Sequence, residues 1–268
     1  MIDIRDRGDT RRIPIDKVGV RGLRYPVVLL DKATNRQHTV ATISMFVSLP
    51  QEFRGTRLGR FVEILSRHHR EIDIHKLGNI LRDIRTELDA KSAHLEMEFP
   101  YFIEKQAPVS GARGLMDYQC TVAADLDRHF RLRIGAVVPV TTLCPCSKEM
   151  VGVGGHNQRA EIRVTAEPKG FLWLEDLIGL VEDCGSSQVY SLLKREDERH
   201  VTSHALANPA FVEDVVRAVV TRLQDHPNVA GFDVRVVSYE SIHHHDACAY
   251  VHRTGGRRRP APDDDPAG

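Results

Sequence analysis

One order of elements, written twice, constrains this chain more than any other feature. After a polar lead-in, LRYPVVLLD and HTVATISMFVSL read as strands, the second alternating Val40, Thr42, Ser44 and Phe46 against Ala41, Ile43, Met45 and Val47. Two helical stripes follow, Leu58, Phe61, Val62 and Leu65, then Leu77, Ile80, Leu81, Ile84 and Leu88, spaced to set one face of each helix on a core. Leu95, Met97 and Phe99 alternate with Glu96 and Glu98, and DYQCTVAADLD can pair with that strand, completing ββααββ. The second half repeats the order but not the residues. Phe130, Leu132 and Ile134 alternate with Arg131 and Arg133, AEIRVTAEP is the partner strand, and helical segments are expected in WLEDLIGLVEDC, SQVYSLLK and AFVEDVVRAVVTRL. Asn208 should cap the last of these, with Pro209 in its first position, before FDVRVVSY and DACAYVHR close the unit. The pattern demands an α+β fold, antiparallel sheets with helices on one face. The expected divisions are an N-terminal extension over 1–18, units over 19–127 and 128–254, and a disordered tail, GGRRRPAPDDDPAG, over 255–268.

Lys plus Arg and Asp plus Glu number 37 each, so nothing in the overall charge points to nucleic acid or an anionic membrane as partner. An anion must be held by a local site. No run approaches the roughly 20 apolar residues that cross a bilayer, and MIDIRDRGDTRRIP is charged where a signal peptide would be apolar, which sets a cytoplasmic expectation. The cysteines, Cys120, Cys144, Cys146, Cys184 and Cys248, are odd in number and scattered, unlike a disulfide framework. Histidines number 14, with His243, His244, His245 and His252 close together, and this raises the prospect of a metal.

The most informative stretch is TTLCPCSKEMVGVGGHNQR, residues 141–159. Cys144 and Cys146 flank a proline at a predicted strand end, in extended and turning backbone, and a Gly-rich loop then returns the chain to His156. Thiolate and imidazole suit a zinc-like ion, while two packed cysteines and a loop histidine are the bland alternative. No further Cys or His follows at short spacing, so any other ligands come from afar, as in an open catalytic site. Two segments offer them: LLKREDERHVT with Glu196, Asp197 and Glu198, otherwise a solvated charge run, and ESIHHHDACAY with Glu240 and three histidines.

Taken together, LCPCSKE, GGHNQR, LLKR-x-DE-x-x-VT, NP-x-FVED and ESIH, with IPIDKVGVRGLRYPV and KQAPVSGARGLMDY upstream, resemble the type IB GTP cyclohydrolases over roughly residues 12–253. The resemblance implies a tunnelling fold, two ββααββ units per chain, whose sheets join between subunits into a barrel with active sites at the interfaces. It implies conversion of GTP and water to 7,8-dihydroneopterin triphosphate and formate, first step of pterin and tetrahydrofolate synthesis, by a homotetramer. Carried over by residue, Cys144, His156 and Glu198 are similar to the family's metal ligands, for zinc, manganese or iron, and Glu213 to its guanine anchor. His243 stands near the metal as fourth ligand or proton carrier.

In that reaction a Lewis-acid metal would lower the pKa of water for attack at C8 of the purine. His243, oriented by Glu240, would deliver protons as the imidazole ring opens, and Cys146 would join the proton transfers or merely pack. Lys148, Arg159 and Lys194 are candidate cations for the triphosphate, with solvated surface charge as the alternative. The chain departs from the family pattern at Ser203, His204, His244 and Cys248, none of them a proposed ligand. Three rivals stand beside this reading: an archaeal-type cyclohydrolase making a cyclic-phosphate product, a nitrile reductase of the same fold, and a non-catalytic binding module.

Overall fold

Alternation and stripes become nine strands and six helices in a computed structural model that describes residues 10–68 and 76–254. The expected disordered tail, 255–268, and residues 1–9 of the expected extension lie outside the described residues. The chain divides into two compact units, Met1–Tyr101 with Gln119–Arg133, and Phe102–Tyr118 with Ile134–Gly268.

The first unit contains β1 (Ile15–Asp31), β2 (Asn35–Leu49), α1 (Leu58–Arg67) and α2 (Leu77–Glu87), with parts of β3 (Ala93–Gln106) and β4 (Arg113–Leu126). Its strands are antiparallel: Tyr25 faces Ala41 across β1 and β2, and Ile43 faces Met97 across β2 and β3. Period-two alternation puts Ala41, Ile43, Met45 and Val47 on the buried face. On α1 the stripe is rotated from the expected one: Phe61, Ile64 and Leu65 are buried, while Leu58 and Val62 stay exposed. Leu77, Ile80, Leu81 and Ile84 of α2 join them, each worth about 1.5–3 kcal/mol of transfer free energy when fully buried. The β1–β2 turn is short and closed on itself. The Asp31 carboxylate accepts from the backbone N–H groups of Ala33 (2.9 Å) and Thr34 (2.7 Å), from Thr34 Oγ1 (3.0 Å) and from Gln37 Nε2 (3.0 Å).

The second unit takes β5 (Phe130–Leu143) from Ile134 onward, then α3 (Pro145–Val151), β6 (Asn157–Pro168), α4 (Leu174–Glu182), β7 (Ser187–Gln188), α5 (Arg195–Ala207), α6 (Val212–Asp225), β8 (Val229–Ser238) and β9 (Ala247–Arg253). Strand β6 lies antiparallel between β5 and β8, with Val138 opposite Ile162 and Val164 opposite Val234, and β9 pairs with β8. Val138, Val140, Ile162, Val164, Val234 and Val236 form the buried face, and α6 packs on β8 and β9 through its Val215, Val219 and Leu223 stripe. The architecture is α+β, as the sequence pattern demands.

Three local expectations change. SQVYSLLK is not helical. Ser187 and Gln188 pair with Thr141 and Val140 of β5, and the Ser186 hydroxyl accepts from the Leu143 N–H at 3.0 Å. The helix comes next, at α5, where Glu196, Asp197 and Glu198 in the first turn oppose the helix dipole. Its apolar stripe is too thin to see in the sequence, since only Asp197 and Ala205 are buried. Asn208 caps the C-terminus of α5, not the N-terminus of α6: its N–H and its Nδ2 (2.8 Å) both donate to the His204 carbonyl. Pro209 then stops that helix, and α6 begins after Phe211, whose N–H donates to the Asp214 carboxylate (3.2 Å). No described helix is long and apolar enough to cross a membrane.

Candidate active site

The chain between β5 and β6 makes a small closed device. Cys144 keeps extended backbone (φ −65°, ψ 118°), Pro145 opens α3 where no N–H is needed, and Gly152, in the left-handed region at φ 79°, ends it. The Cys144 N–H then donates to the His156 carbonyl (3.1 Å). Ser147 Oγ clamps the crossing, donating to the Cys144 carbonyl (3.2 Å) and accepting from the His156 N–H (2.9 Å). Gly155 permits the close approach, because a Cβ there would sit 2.6 Å from Ser147 Oγ and 3.2 Å from the Cys144 carbonyl oxygen. A proline, two glycines and a serine thus bring thiol and imidazole to one end of the sheet.

Behind them lies a polar floor. His156 Nδ1 is 2.8 Å from Gln158 Oε1, and Gln158 Nε2 reaches Thr142 Oγ1 and Ser238 Oγ, each at 3.2 Å. Those two hydroxyls are 2.8 Å apart. Glu240 Oε2 approaches His156 Nδ1 at 3.6 Å, with both side chains mostly buried, 14% and 13% exposed. That carboxylate oxygen is buried without a hydrogen-bond partner among the described residues. An unpartnered buried acceptor costs about 1–3 kcal/mol, more when charged, so a positive group placed beside it would be favoured. A cavity of about 410 Å³ opens here, its wall including Cys144, Gln158, Phe211, Glu213, Glu240 and His245. Glu213 comes to it because the Ala210 N–H donates to the Leu143 carbonyl (3.0 Å), which pins the start of α6 beside the end of β5.

Cys144, His156, Glu213 and Glu240 are therefore gathered, and the other expected site residues are placed elsewhere on the unit. Glu198 is exposed on α5, and among the described residues no three His, Cys, Asp or Glu side chains group closely enough to hold a metal ion. Its neighbour Asp197 is wholly buried and structural. It accepts from the N–H groups of Val109, Ser110 and Lys194 (2.8 Å each) and from Ser110 Oγ (2.6 Å). Burial pushes its carboxyl up, but these hydrogen bonds outweigh burial and hold it well below the usual carboxylate range. His243 is exposed and stacks on His245, ring centroids 5.1 Å apart. Cys146 is exposed in the first turn of α3, and Lys148 Nζ is tied to the Leu206 carbonyl at 2.5 Å. Arg159 and Lys194 are exposed; Arg159 projects from β6 on the face opposite Gln158. Sequence reasoning passed over Gln158, Thr142, Ser238 and the cavity position of His245. Only for Gln158 was a signal present, since two residues along a strand from His156 means the same face.

Residues 1–249 match the family model described as type I GTP cyclohydrolase FolE2. The GTP cyclohydrolase FolE2 of Syntrophotalea carbinolica is 51% identical over 251 residues, covering 94% of either chain. That of Syntrophus aciditrophicus is 51% identical over 254 residues, 94% of this chain and 100% of its own. Among solved structures, the uricase from Arthrobacter globiformis superposes with a TM-score of 0.52 at 8% identity, over 92% of this chain and 96% of its own. A uricase from Bacillus fastidious gives 0.51 at 8% identity, over 88% and 92%. At that identity the likeness speaks to fold alone, the tunnelling fold.

Proposed function

The chain belongs to the type I GTP cyclohydrolase FolE2 family, and from that premise we propose how its own residues carry the conversion of GTP and water to 7,8-dihydroneopterin triphosphate and formate. The observation that carries the reading is the joining of Cys144, Glu213 and Glu240 on one cavity wall, with His156 against Glu240. Thiolate, imidazole and carboxylate form a donor set suited to zinc, manganese or iron, and the unpartnered Glu240 oxygen fits a nearby cation. Cys144, His156 and Glu198 hold the ion. When bound, it lowers the pKa of water toward neutrality.

Glu213 accepts from the ring N–H and the exocyclic amine of guanine and so sets the purine in the cavity. His243 moves protons to and from the purine nitrogens as the imidazole ring opens, formate leaves and the pyrazine ring closes. Glu240 orients the imidazoles around it, and Cys146 shares in the proton transfers. Lys148, Arg159 and Lys194 supply cations for the triphosphate.

Glu198 is exposed on α5 and does not line the cavity that Cys144 lines, and in this reading it reaches the ion from a neighbouring subunit. Strand β9 pairs on one side with β8 and on the other with no described strand, and that open edge supports a homotetramer with sites between subunits. A cytoplasmic location belongs to the same reading, since GTP is the substrate.

The test is complementation. Cys144→Ala and Glu198→Ala chains, each inactive alone, are co-expressed, loaded with metal and assayed with GTP for formate and for the fluorescent oxidised pterin. Recovered turnover is expected, and product of the mass of the linear triphosphate. Failure to recover while mixed oligomers form puts Glu198 in its own chain's site.

A further inference from the structure

A buried glutamine decides which nitrogen of His156 is available to a ligand. Gln158 is 9% exposed, and its two ends meet different chemistry. Nε2 can only donate, and it faces two hydroxyls, Thr142 Oγ1 on β5 and Ser238 Oγ on β8, at 3.2 Å each. Oε1 can only accept, and it faces His156 Nδ1 at 2.8 Å. Turning the amide round would satisfy the hydroxyls as well, so the amide does not settle the question alone. Glu240 does. Its Oε2 lies 3.6 Å from the same Nδ1, where a bare nitrogen lone pair would face a carboxylate in a buried place. With the proton on Nδ1, Gln158 Oε1 has a donor to accept from, the Glu240 carboxylate 3.6 Å away faces an N–H and not a lone pair, and Nε2 alone carries a free lone pair.

We infer that Gln158 is the positioning residue of the centre: it holds His156 as the Nδ1–H tautomer, in one ring rotation, so that Nε2 is the ligating atom. Three neighbouring strands lock it, because β6 carries Gln158 between Thr142 of β5 and Ser238 of β8. An outer partner of this kind raises the basicity of the ligating nitrogen and removes the freedom it would lose on binding. The inference rests on the reading of His156 as a metal ligand.

Zinc affinity of the full chain is measured by competition with a chromophoric chelator for the parent, Gln158→Leu, Gln158→Glu and His156→Ala, with ¹⁵N-histidine spectra of the zinc-loaded proteins. Gln158→Leu keeps the volume, leaves the two hydroxyls bonded to each other, and is expected to weaken zinc roughly 10- to 100-fold. Gln158→Glu still offers an oxygen to Nδ1–H and should bind zinc as the parent does. The parent spectrum should show an Nε2-bound, Nδ1-protonated histidine that is missing from His156→Ala. Parent-like affinity in Gln158→Leu, equal weakening in Gln158→Glu, or a zinc–Nδ1 signature overturns the inference. If Gln158→Leu does not fold, tenfold or greater weakening in Gln158→Glu overturns it alone. Parent-like zinc binding by His156→Ala would sink the ligand reading itself, which is a separate result.

Discussion

The connection from β1 to β2 and the connection from β5 to β6 occupy the same place in two units built to one plan, yet they do opposite things. The first is three residues, 32–34, and one carboxylate, Asp31, satisfies its donors. The second runs from Cys144 to His156, carries a helix, and sets the Cys144 thiol on the wall of a cavity and the His156 imidazole 3.6 Å from Glu240, which lines the same cavity. One turn completes its hydrogen bonding at home; the other ends beside a carboxylate oxygen that has no hydrogen-bond partner among the described residues. The candidate site of this chain lies at the longer of the two connections, and the strands on either side supply rigidity.

The largest expected effect tests that contrast directly. Cys144→Ala should keep its melting temperature in the absence of metal but lose metal, and turnover should fall by more than the roughly 100-fold that loss of an outer partner costs. Near-stoichiometric metal in that variant would move the ligand role to Cys146. Asp31→Ala should do the reverse, lowering stability by about 1–3 kcal/mol through stranded donors while turnover of the folded fraction stays put. If both substitutions fell on stability alike, the contrast between the turns would dissolve.

A smaller effect is expected at Glu213. Glutamine keeps one acceptor oxygen but sets an NH2 against the second guanine donor, so Glu213→Gln should weaken GTP binding by about 1–3 kcal/mol, roughly 5- to 150-fold, with metal content unchanged. Parent-like GTP binding with slightly earlier melting would reduce Glu213 to a first-turn residue favoured by the helix dipole.

Smaller again is Glu240→Gln. Removing a buried, unpartnered charge should raise stability by about 1 kcal/mol while lowering turnover, the trade expected of a group kept for function. A lower melting temperature would show that the carboxylate is already satisfied in the protein.

The last expectation concerns acid. Asp197, with its folded pKa depressed, contributes stability in full above the ordinary carboxyl range near about 3.9. That contribution declines below this pH and is lost as pH falls through the folded value. In an Asp197→Asn variant the acid limb of the stability profile should be shallower than in the parent. An unchanged limb would assign acid sensitivity to other carboxylates, Asp31 among them, whose pKa is also lowered: burial pushes it up, but the Thr34, Gln37 and Ala33 hydrogen bonds prevail.

Much of this was legible one residue at a time. Leu95 against Glu96, or Met97 against Glu98, announces a half-buried strand, because strand periodicity is local. The LCPC and GGHNQR strings point to a thiol–imidazole pair because proline and glycine govern the backbone where they stand. SQVYSLLK misled for the same reason: its helical look is local, whereas the pairing of Ser187 with Thr141 is not. Glu198 and Asp197 are adjacent and chemically alike, yet one is exposed and the other buried beneath the 109–110 backbone.

The sequence by itself determined the α+β plan, the doubled order of strands and helices, the family, and which thiol, imidazole and carboxylates are the candidates for its site. Only the tertiary structure decided that Glu213 and Cys144 share a cavity, that Glu240 lies unpartnered beside His156, and that Gln158 joins Thr142 to Ser238. Propensity and periodicity are set within a turn or two of chain, but hydrogen-bond satisfaction is settled between groups such as Gln158 and Ser238, 80 residues apart, that meet only when strands pair.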